Sequence, residues 1–496
     1  MSSPEMNDVF LLEFFRDNID DIEYISNKYV INEKDFLVKS IDKQLIDLNS
    51  RKESEQYFSR QDFINIKNIW KNLLEISLLY LKMKDDREEN IHDKEVFGIN
   101  KLSEYYAEFK DHERVLFGSK KRYRDHIFHM FRVFLLGEYL VRKNYENKFE
   151  DIEIYDVKDY IKNDILDKKS LSGDIIESMW CIISLTHDLG YPLENSHKIN
   201  EPMRKIMKYF GKMDIKEFDV IFPSQSRFID DFITKFISSK LIIYNNPNKK
   251  DKKNNKKKSS EFITVVQPKY YLKFSKEFEE YRHGIISCVL LMKNLIYFLE
   301  SDYVMSYGKT IDSKDAIQFI IRREILRSIA AHCCDEIYHY STNNLQFLLL
   351  ITDEMQSWGR PFFSELFTDE TPRNNKLIVN KFDKENIDYL IKWENNNKEN
   401  AKEDLFEYGV NLFEHLNKVF RSGVDTGNRD FDINCRLTVK CKRTLYSLLF
   451  SHIHPSKVKG KTQFITGNIE YSINNKNTNN FKSIGEFKDW KENYYK

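Results

Sequence analysis

The chain has 496 residues, which exceeds the size of one compact core and predicts two or three domains. Lysine plus arginine and aspartate plus glutamate number 78 each, so the overall charge does not indicate a general nucleic-acid or membrane binder. A hydrophobic share of 41% with only 9 prolines and 15 glycines excludes a disordered or fibrous chain and predicts a globular protein.

Helical patterns dominate the first three quarters of the sequence. Residues 1–100 place apolar residues at spacings of three and four, as between Ile66 and Tyr80, and predict an N-terminal helical region. The helical pattern strengthens over residues 101–370, where apolar segments repeatedly contain or end in a histidine or an aspartate. We therefore predict a mainly α fold whose central domain carries the chemistry.

An insertion at about residues 199–275 interrupts this central domain. Lys240–Tyr244 and Phe262–Val266 have the composition of β-strands and predict a small hairpin, with a disordered tip between them. Seven lysines between Lys249 and Lys258 could bind nucleic acid or anionic lipid, although loops of this composition are more often simply solvated.

Residues 372–496 have a different composition and predict a C-terminal α+β accessory domain. Lys376–Val379, Ile387–Trp393 and Asp432–Val439 alternate like strands, whereas Asp404–Phe420 has the period of a helix. From about Ser456 the chain is rich in Asn, Lys and Thr, and we expect a loosely packed tail there.

Five apolar segments of the central domain carry a histidine or an aspartate where only burial is expected. In chain order these residues are His129, His187, Asp188, His283, His332 and Asp353. A carboxylate directly after an apolar run is costly unless it is compensated, and a cation compensates it well. Each histidine alone is better explained as a core residue. Together, the six residues are better explained by one shared metal site.

Neighbouring residues favour ligands held at rigid positions. Gly190 and Pro192 follow the His-Asp pair as signals for the end of a helix. Gly284 permits close approach of another helix beside the third histidine, and Asp312 or Ser313 is the candidate N-cap of the helix that carries the fourth. Nitrogen and oxygen donors without thiolates suit Mn, Fe, Zn, Ni or Mg. Six such side chains could hold two divalent metal ions with one carboxylate bridging them.

This order of residues resembles the H…HD…H…H…D signature of the HD superfamily of metal-dependent phosphohydrolases, specifically its bimetallic branch. The resemblance covers about residues 100–365. The local contexts are also similar, with Arg132-Val133 after the first histidine, Ala330-Ala331 before the fourth, and Trp358-Gly-Arg-Pro361 after the last aspartate. The resemblance implies an HD-domain helical bundle.

The resemblance also implies an arrangement of the ligands and a mechanism. Asp188 would bridge two ions, of which one is also held by His129, His187 and Asp353 and the other by His283 and His332. A hydroxide between the ions would attack phosphorus, because paired ions activate water and stabilise the entering and leaving oxygens. The implied activity is hydrolysis of a phosphoester or phosphoanhydride bond.

Further candidate residues surround these ligands in the sequence. Substrate phosphate needs cationic donors, for which the candidates are Arg122, Arg124, Arg282 and Arg360. His126 lies one helical turn before His129 and is a candidate general acid. Several HD phosphodiesterases carry a lysine soon after HD-x-G. Here Tyr191 stands at that place and Lys198 is the nearest downstream lysine, which we include among the catalytic candidates.

The leading hypothesis is a phosphohydrolase or phosphodiesterase acting on a nucleotide or another phosphorylated small molecule. One alternative is an HD-type nuclease on single-stranded nucleic acid, which would use the lysine-rich loop and the C-terminal domain. Another is a non-catalytic nucleotide-sensing protein. Neither a Gly-rich phosphate loop nor a dinucleotide fingerprint occurs, so kinase and dehydrogenase activities are not supported.

The cellular location is expected to be the cytoplasm, without a membrane partner. The six cysteines lack the short repeated spacings of a zinc module or a disulfide framework, which is typical of reduced thiols. The first residues do not form a basic stretch followed by an apolar one, and no run of about 18 apolar residues occurs.

Overall fold

The structure is a computed structural model and describes most of the chain. It covers residues 3–50, 60–83, 98–119, 124–144, 149–154, 157–162, 165–166, 171–195, 209, 224–244, 261–295, 310–334, 337, 343–360, 375–383, 386–395, 398–420, 432–458 and 461–494. None of the helices in these ranges combines the length and the apolar character needed to cross a membrane.

Helices form most of the described chain, in agreement with the predicted mainly α class. The α-helices are α1 (Asp8–Asn18), α2 (Glu23–Ser26), α3 (Ile31–Asn49), α4 (Arg60–Tyr80), α5 (Ile99–Ser119), α6 (Ile127–Asn144), α7 (Lys158–Lys162), α8 (Gly173–Thr186), α9 (Ser224–Ile237), α10 (Pro268–Glu279), α11 (His283–Asn294), α12 (Ser313–Ala331), α13 (Leu345–Met355), α14 (Lys398–Phe420) and α15 (Ile484–Tyr494). Polar side chains cap the N-termini of several of these helices. Asp312 caps α12 by accepting from the amides of Lys314 and Asp315, and Asn344 caps α13 by accepting from Phe347.

Two sheets accompany the helices. The strands are β1 (Glu5–Met6), β2 (Ser239–Tyr244), β3 (Glu261–Val266), β4 (Lys376–Phe382), β5 (Asn386–Glu394), β6 (Asp432–Cys441), β7 (Thr444–Val458), β8 (Lys461–Ile473) and β9 (Lys476–Phe481). β2 and β3 form the predicted antiparallel hairpin, whose tip lies outside the described residues. The other strands form one mixed sheet in the order β1-β4-β5-β6-β7-β8-β9, in which only β5 and β6 are parallel neighbours.

The C-terminal region contains the predicted strands and helix, but the predicted loose tail after Ser456 is wrong. The chain there continues through β7, β8, β9 and α15, and Ile469, Tyr471, Phe481 and Phe487 are buried. A strand with one solvated face needs an apolar residue only at every second position, so Asn, Lys and Thr can fill the remaining positions. The low apolar content therefore reflects a sheet with one polar face.

The helices that carry the candidate ligands share one hydrophobic core with the N-terminal helices. α1 packs on α6, α4 packs on α8, and α6 packs on α8. The Trp70 indole on α4 donates to the carbonyl of Leu185, 2.8 Å away, near the end of α8. On α6, a Cβ at Gly137 would overlap the Trp180 ring of α8. This close approach sets the distance between the middle parts of α6 and α8.

A buried cluster of charged groups joins α6 and α8 away from the candidate ligands. Glu138 is fully buried, and its Oε2 accepts from Arg142 at 3.4 Å. Arg142 also pairs with Glu177 on α8. Burial, and after it the nearby Glu177 carboxylate, raises the pKa of Glu138 well above its usual value. A neutral Glu138 carboxyl is therefore favoured in the folded protein.

The Glu138→Gln variant is expected to lose less stability than the wild type as the pH rises. Because folding raises the pKa of Glu138, the folded protein keeps a proton that the unfolded chain releases above about pH 4.5. Stability therefore falls as the pH rises from that value through the raised pKa. Denaturant unfolding of both proteins between pH 5 and pH 9 measures the difference, and parallel curves would contradict it.

Candidate metal centre

The six residues predicted as metal ligands come together at one place. His129 lies in the first turn of α6, His283 is the first residue of α11, and Asp353 lies in the last turn of α13. His187 and His332 are the C-cap residues of α8 and α12, and Asp188 follows His187 directly. All six side chains therefore leave the core from helix ends, where the packed helices hold the backbone rigidly.

Asp188 lies between two sets of histidines. Its Oδ2 is 3.5 Å from His187 Nε2 and 3.8 Å from His129 Nε2. Its Oδ1 is 3.4 Å from His283 Nε2 and 3.7 Å from His332 Nε2. Each carboxylate oxygen thus faces a different pair of imidazole nitrogens, an arrangement in which one carboxylate can serve two ions.

Asp353 completes the first of these sets. Its Oδ1 is 2.6 Å from His129 Nε2 and 4.0 Å from His187 Nε2. We call His129, His187 and Asp353 the first donor group and His283 and His332 the second donor group. Both lie within reach of Asp188.

Each of the four histidines turns Nδ1 toward an oxygen acceptor outside the centre. The acceptors are Gln356 Oε1 for His129 at 2.6 Å, the Ser184 carbonyl for His187 at 2.9 Å, a Glu194 carboxylate oxygen for His283, and the Ile329 carbonyl for His332 at 2.6 Å. A neutral ring that donates from Nδ1 directs the lone pair of Nε2 into the centre. Histidine ligands of metals are oriented in this way.

Two features inside the centre are compatible with a bound cation. His187 Nε2 is buried and has no hydrogen-bond partner. His283 Nε2 and His332 Nε2 are 3.0 Å apart, a distance that suits either a hydrogen bond between the rings or a shared cation. Two nitrogens that bind one ion at about 2.1 Å each, at a right angle, lie about 3.0 Å apart. The donors present therefore fit a cation, and the buried His and Asp groups can hold a metal ion.

The pKa shifts of His187, Asp188 and Asp353 favour the protonation states of metal ligands. Burial lowers the pKa of His187 to about 4, which favours the neutral ring. Burial alone would raise the pKa of Asp188, but His187 and His332 lower it well below its usual value. The pKa of Asp353 is also lowered, against burial, by its bond with His129. Against the effect of burial, the hydrogen bond with Glu194 raises the pKa of His283, so an ion that binds this ring displaces a proton from it.

Close packing brings Asp188 to the second donor group. A Cβ at Gly190 would overlap the carbonyl of His283 and lie 2.8 Å from Ile286 Cβ. The Gly190 amide donates to Ser287 Oγ at 2.8 Å, and Ser287 Oγ lies 2.7 Å from the carbonyl of His187. Gly190 does not adopt positive φ. It is therefore needed for the contact with α11 rather than as the predicted helix stop, since α8 already ends at Thr186.

Gly284 has the role predicted for it. A Cβ at Gly284 would lie 2.6 Å from the carbonyl of Ile329 and 2.8 Å from Cys333 Sγ. The absence of a side chain allows α11 to approach the end of α12. His283 and His332 meet because of this approach.

The structure places His126 and Arg360 beside the centre. His126 stacks on Tyr191 with ring centroids 3.6 Å apart, and burial lowers the pKa of His126 well below its usual value. Arg360 donates from Nε to the carbonyl of Asp125 at 2.8 Å, and its charge also lowers the pKa of His126. His126 is accordingly a neutral ring near neutral pH.

Of the other predicted cationic residues, some are less favourably placed to bind a phosphate and some lie outside the described residues. Arg282 lies within 4 Å of three carboxylates, those of Glu194, Glu277 and Glu280. Arg124 is partly buried just before α6. Arg122 and Lys198 lie outside the described residues, so their predicted roles stay predictions.

Sequence reasoning missed several residues that orient or adjoin the ligands. Gln356 holds His129 and lies three positions after Asp353, a spacing that places both on one helix face. Glu194 accepts from both the amide and the ring of His283, which lowers the pKa of Glu194 to about 2 against the effect of burial. Cys333 Sγ lies within 4.8 Å of the nearest donor atoms of the second donor group. A thiol is therefore available where the sequence indicated only nitrogen and oxygen.

Comparisons with protein-family models, with curated proteins and with solved structures found no match to this chain. Its function therefore has to be inferred from the centre itself. The relevant features are two donor groups, a shared carboxylate, and a stacked His126 and Tyr191 with Arg360 beside them.

Proposed function

We propose that this chain is a metal-dependent phosphohydrolase of the HD superfamily that hydrolyses a phosphoester or phosphoanhydride bond of a nucleotide. The observation that supports this most is the position of Asp188, whose two oxygens face different pairs of histidine nitrogens at 3.4–3.8 Å. A site with one ion needs no such division. Two ions are the stoichiometry that uses every donor.

In this proposal the first donor group holds one ion and the second donor group the other, with Asp188 shared. Mn, Fe, Ni, Zn and Mg all accept nitrogen and oxygen donors, and although Cys333 lies near the second donor group, burial raises the pKa of its thiol and disfavours the thiolate that would bind an ion. Divalent ions so placed would supply Lewis acidity toward a phosphoryl oxygen. The protein supplies the geometry, because the acceptors at Nδ1 fix each imidazole before substrate arrives.

The residues beside the centre would bind and orient the substrate. Arg360 offers a guanidinium charge to phosphate oxygens, and its bond to the carbonyl of Asp125 holds it toward His126. His126, neutral and held against Tyr191, can donate a hydrogen bond to the leaving oxygen or take up a proton at a ring nitrogen. The orientation of Arg360 is fixed by the carbonyl of Asp125, and that of His126 by the Tyr191 ring.

The Arg360→Met variant is expected to raise KM and to lower kcat/KM about 10–100-fold, the value of one charge-assisted hydrogen bond. Metal content should not change, because Arg360 contacts none of the proposed ligands directly in the described structure. Steady-state kinetics with the best nucleotide substrate measure the effect. Arg16→Met is the matched control, since Arg16 pairs with Asp42 on α3. An equal loss of kcat/KM in Arg360→Met and Arg16→Met would show that Arg360 does not bind the substrate.

Metal analysis of the purified protein followed by a phosphate-release screen tests the proposed function. The screen covers nucleoside triphosphates, cyclic nucleotides, dinucleotides and short oligonucleotides, with and without chelator. We expect chelator-sensitive hydrolysis of a small nucleotide. Activity confined to oligonucleotides, and lost when residues 249–258 are deleted, would indicate the nuclease instead. Tight nucleotide binding without turnover in any metal would indicate the non-catalytic sensor.

A further inference from the structure

Three residues after His129, a buried arginine links the ligand helix to distant parts of the chain. Arg132 on α6 is 1% exposed, and a guanidinium in that position requires a partner. Its Nε and Nη2 donate to the two carboxylate oxygens of Asp8 at 2.7 and 2.8 Å, and its Nη1 donates to the carbonyl of Gly359 at 3.0 Å. Asp8 belongs to the first turn of α1. The pair is bidentate, the strongest geometry for these groups.

Asp8 is also the end of a chain of hydrogen bonds that leads into the centre. Its Oδ1 accepts from the Trp358 indole at 3.0 Å. The carbonyl of Trp358 accepts from Gln356 Nε2 at 2.7 Å, and Gln356 Oε1 accepts from His129 Nδ1 at 2.6 Å. Each link fixes the next, since the Gln356 amide must present its oxygen to His129 when its nitrogen is bound to Trp358.

The segment after α13 packs on the same arginine. Gly359 has φ +65°, and a Cβ at this position would overlap the Arg132 guanidinium. The backbone can follow this path only because the residue is glycine. Arg360, the next residue, is thereby placed at the substrate side of the centre.

We propose that Asp8 is a positioning residue of the metal centre, which orients His129 through Trp358 and Gln356 and fixes the path of the chain to Arg360. This inference rests on the proposed metal-dependent function. Asp8 touches no proposed ligand, so its effect is on the orientation of His129 rather than on bond making. Residues that orient a ligating histidine typically change metal affinity about 10–100-fold.

The N-terminal segment that carries Asp8 is itself anchored elsewhere. β1 pairs with β4 of the mixed sheet, and Glu5 forms ion pairs with Lys376 and Lys392. Asn7 caps α1 by accepting from the amide of Phe10 at 2.9 Å. The backbone at Asp8 is therefore anchored between the sheet and the centre by contacts that do not involve Arg132.

A double-mutant cycle on metal affinity tests the inference. The four proteins are the wild type, Asp8→Asn, Gln356→Ala and the double variant, each titrated with Mn²⁺ alone by calorimetry. We expect each single variant to bind Mn²⁺ about 10–100-fold more weakly. If Asp8 acts through Gln356, the double variant will bind within about threefold of the weaker single variant. Trp358→Phe keeps an aromatic ring and removes the indole donor. Its Mn²⁺ affinity is expected to lie between that of the wild type and that of Asp8→Asn.

Two further variants separate positioning from loss of stability. Leu37→Ala removes a buried side chain of α3 and should lower Tm without changing the Mn²⁺ affinity. Asp8→Glu retains the carboxylate and should bind Mn²⁺ more tightly than Asp8→Asn. An Asp8→Asn affinity within threefold of the wild type, or effects that multiply in the double variant, would overturn the inference. If the wild type binds Mn²⁺ but hydrolyses no nucleotide, only the proposed function fails.

Discussion

Replacement of Asp188 with asparagine is expected to abolish phosphate release, with a loss of about 10³-fold or more in kcat/KM. Asparagine keeps the shape of the side chain but offers one neutral oxygen, and the two oxygens of Asp188 face different donor groups. Loss of the shared carboxylate would deprive both proposed ions of a negatively charged ligand. Lewis-acid stabilisation by metal is worth several kcal/mol, and each 1.4 kcal/mol or so is a factor of ten in rate.

The effect of Asp188→Asn is tested by three measurements on the variant and the wild type. These are the metal content, the Tm with and without metal, and the rate of phosphate release. The wild type should gain Tm when metal is added, because an ion that binds only the folded state stabilises it, and Asp188→Asn should gain much less. Asp42→Asn on α3 is the control, since Asp42 pairs with Arg16 away from the centre. Phosphate release by Asp188→Asn within tenfold of the wild type would refute the proposed mechanism.

Substitution of Gly190 with alanine is expected to damage the centre almost as severely without changing any ligand. The added Cβ would overlap the backbone carbonyl of His283, which cannot rotate away as a side chain can. The segment after α8 must then move away from α11, and the contact between Asp188 and His283 opens. Overpacking of this kind costs about 1–3 kcal/mol or more of stability. We expect metal affinity to fall at least tenfold, since ligand geometry is lost as well.

Gly485→Ala provides the matched control for this substitution. Gly485 lies on the exposed side of α15, and a Cβ there would meet only Ser483 Oγ at 3.7 Å. Alanine is favoured over glycine within a helix, so this variant should be as stable as the wild type or slightly more stable. Denaturant unfolding and Mn²⁺ titration compare the two. Wild-type metal affinity in Gly190→Ala would show that the close contact does not position Asp188.

The six candidate ligands could be picked out from the sequence because each stands in or directly after an apolar segment, and the structure brings them together. A histidine or aspartate that ends an apolar helix, as His187 and Asp188 do, is visible against its neighbours without any knowledge of the fold. Of the two N-cap candidates for α12, Asp312 or Ser313, the structure uses Asp312, and it contains the close approach predicted at Gly284. Strand alternation likewise located the hairpin and the first strands of the mixed sheet.

The residues that orient the ligands were not predictable in this way. Asp8 is an ordinary first-turn acid by sequence, and only the fold brings it to Arg132 and Trp358. Glu194 lies in a polar stretch where a carboxylate is unremarkable, and its contact with His283 spans 89 positions. The last strands, β8 and β9, were missed because their apolar residues alternate with Asn, Lys and Thr, a composition that resembles a solvated tail.

The spread of the ligands along the chain has a consequence for the order of folding. His129 and Asp353 are 224 positions apart, and Asp8 meets Trp358 across 350 positions. Contacts this distant in sequence form late, because the intervening chain must be ordered first. During synthesis α1, α6 and α8 can pack together before α13 has left the ribosome. Nascent chains that stop before residue 353 therefore contain the early candidate ligands but cannot form the first donor group, and the contact of Asp8 with Trp358 requires residue 358 as well.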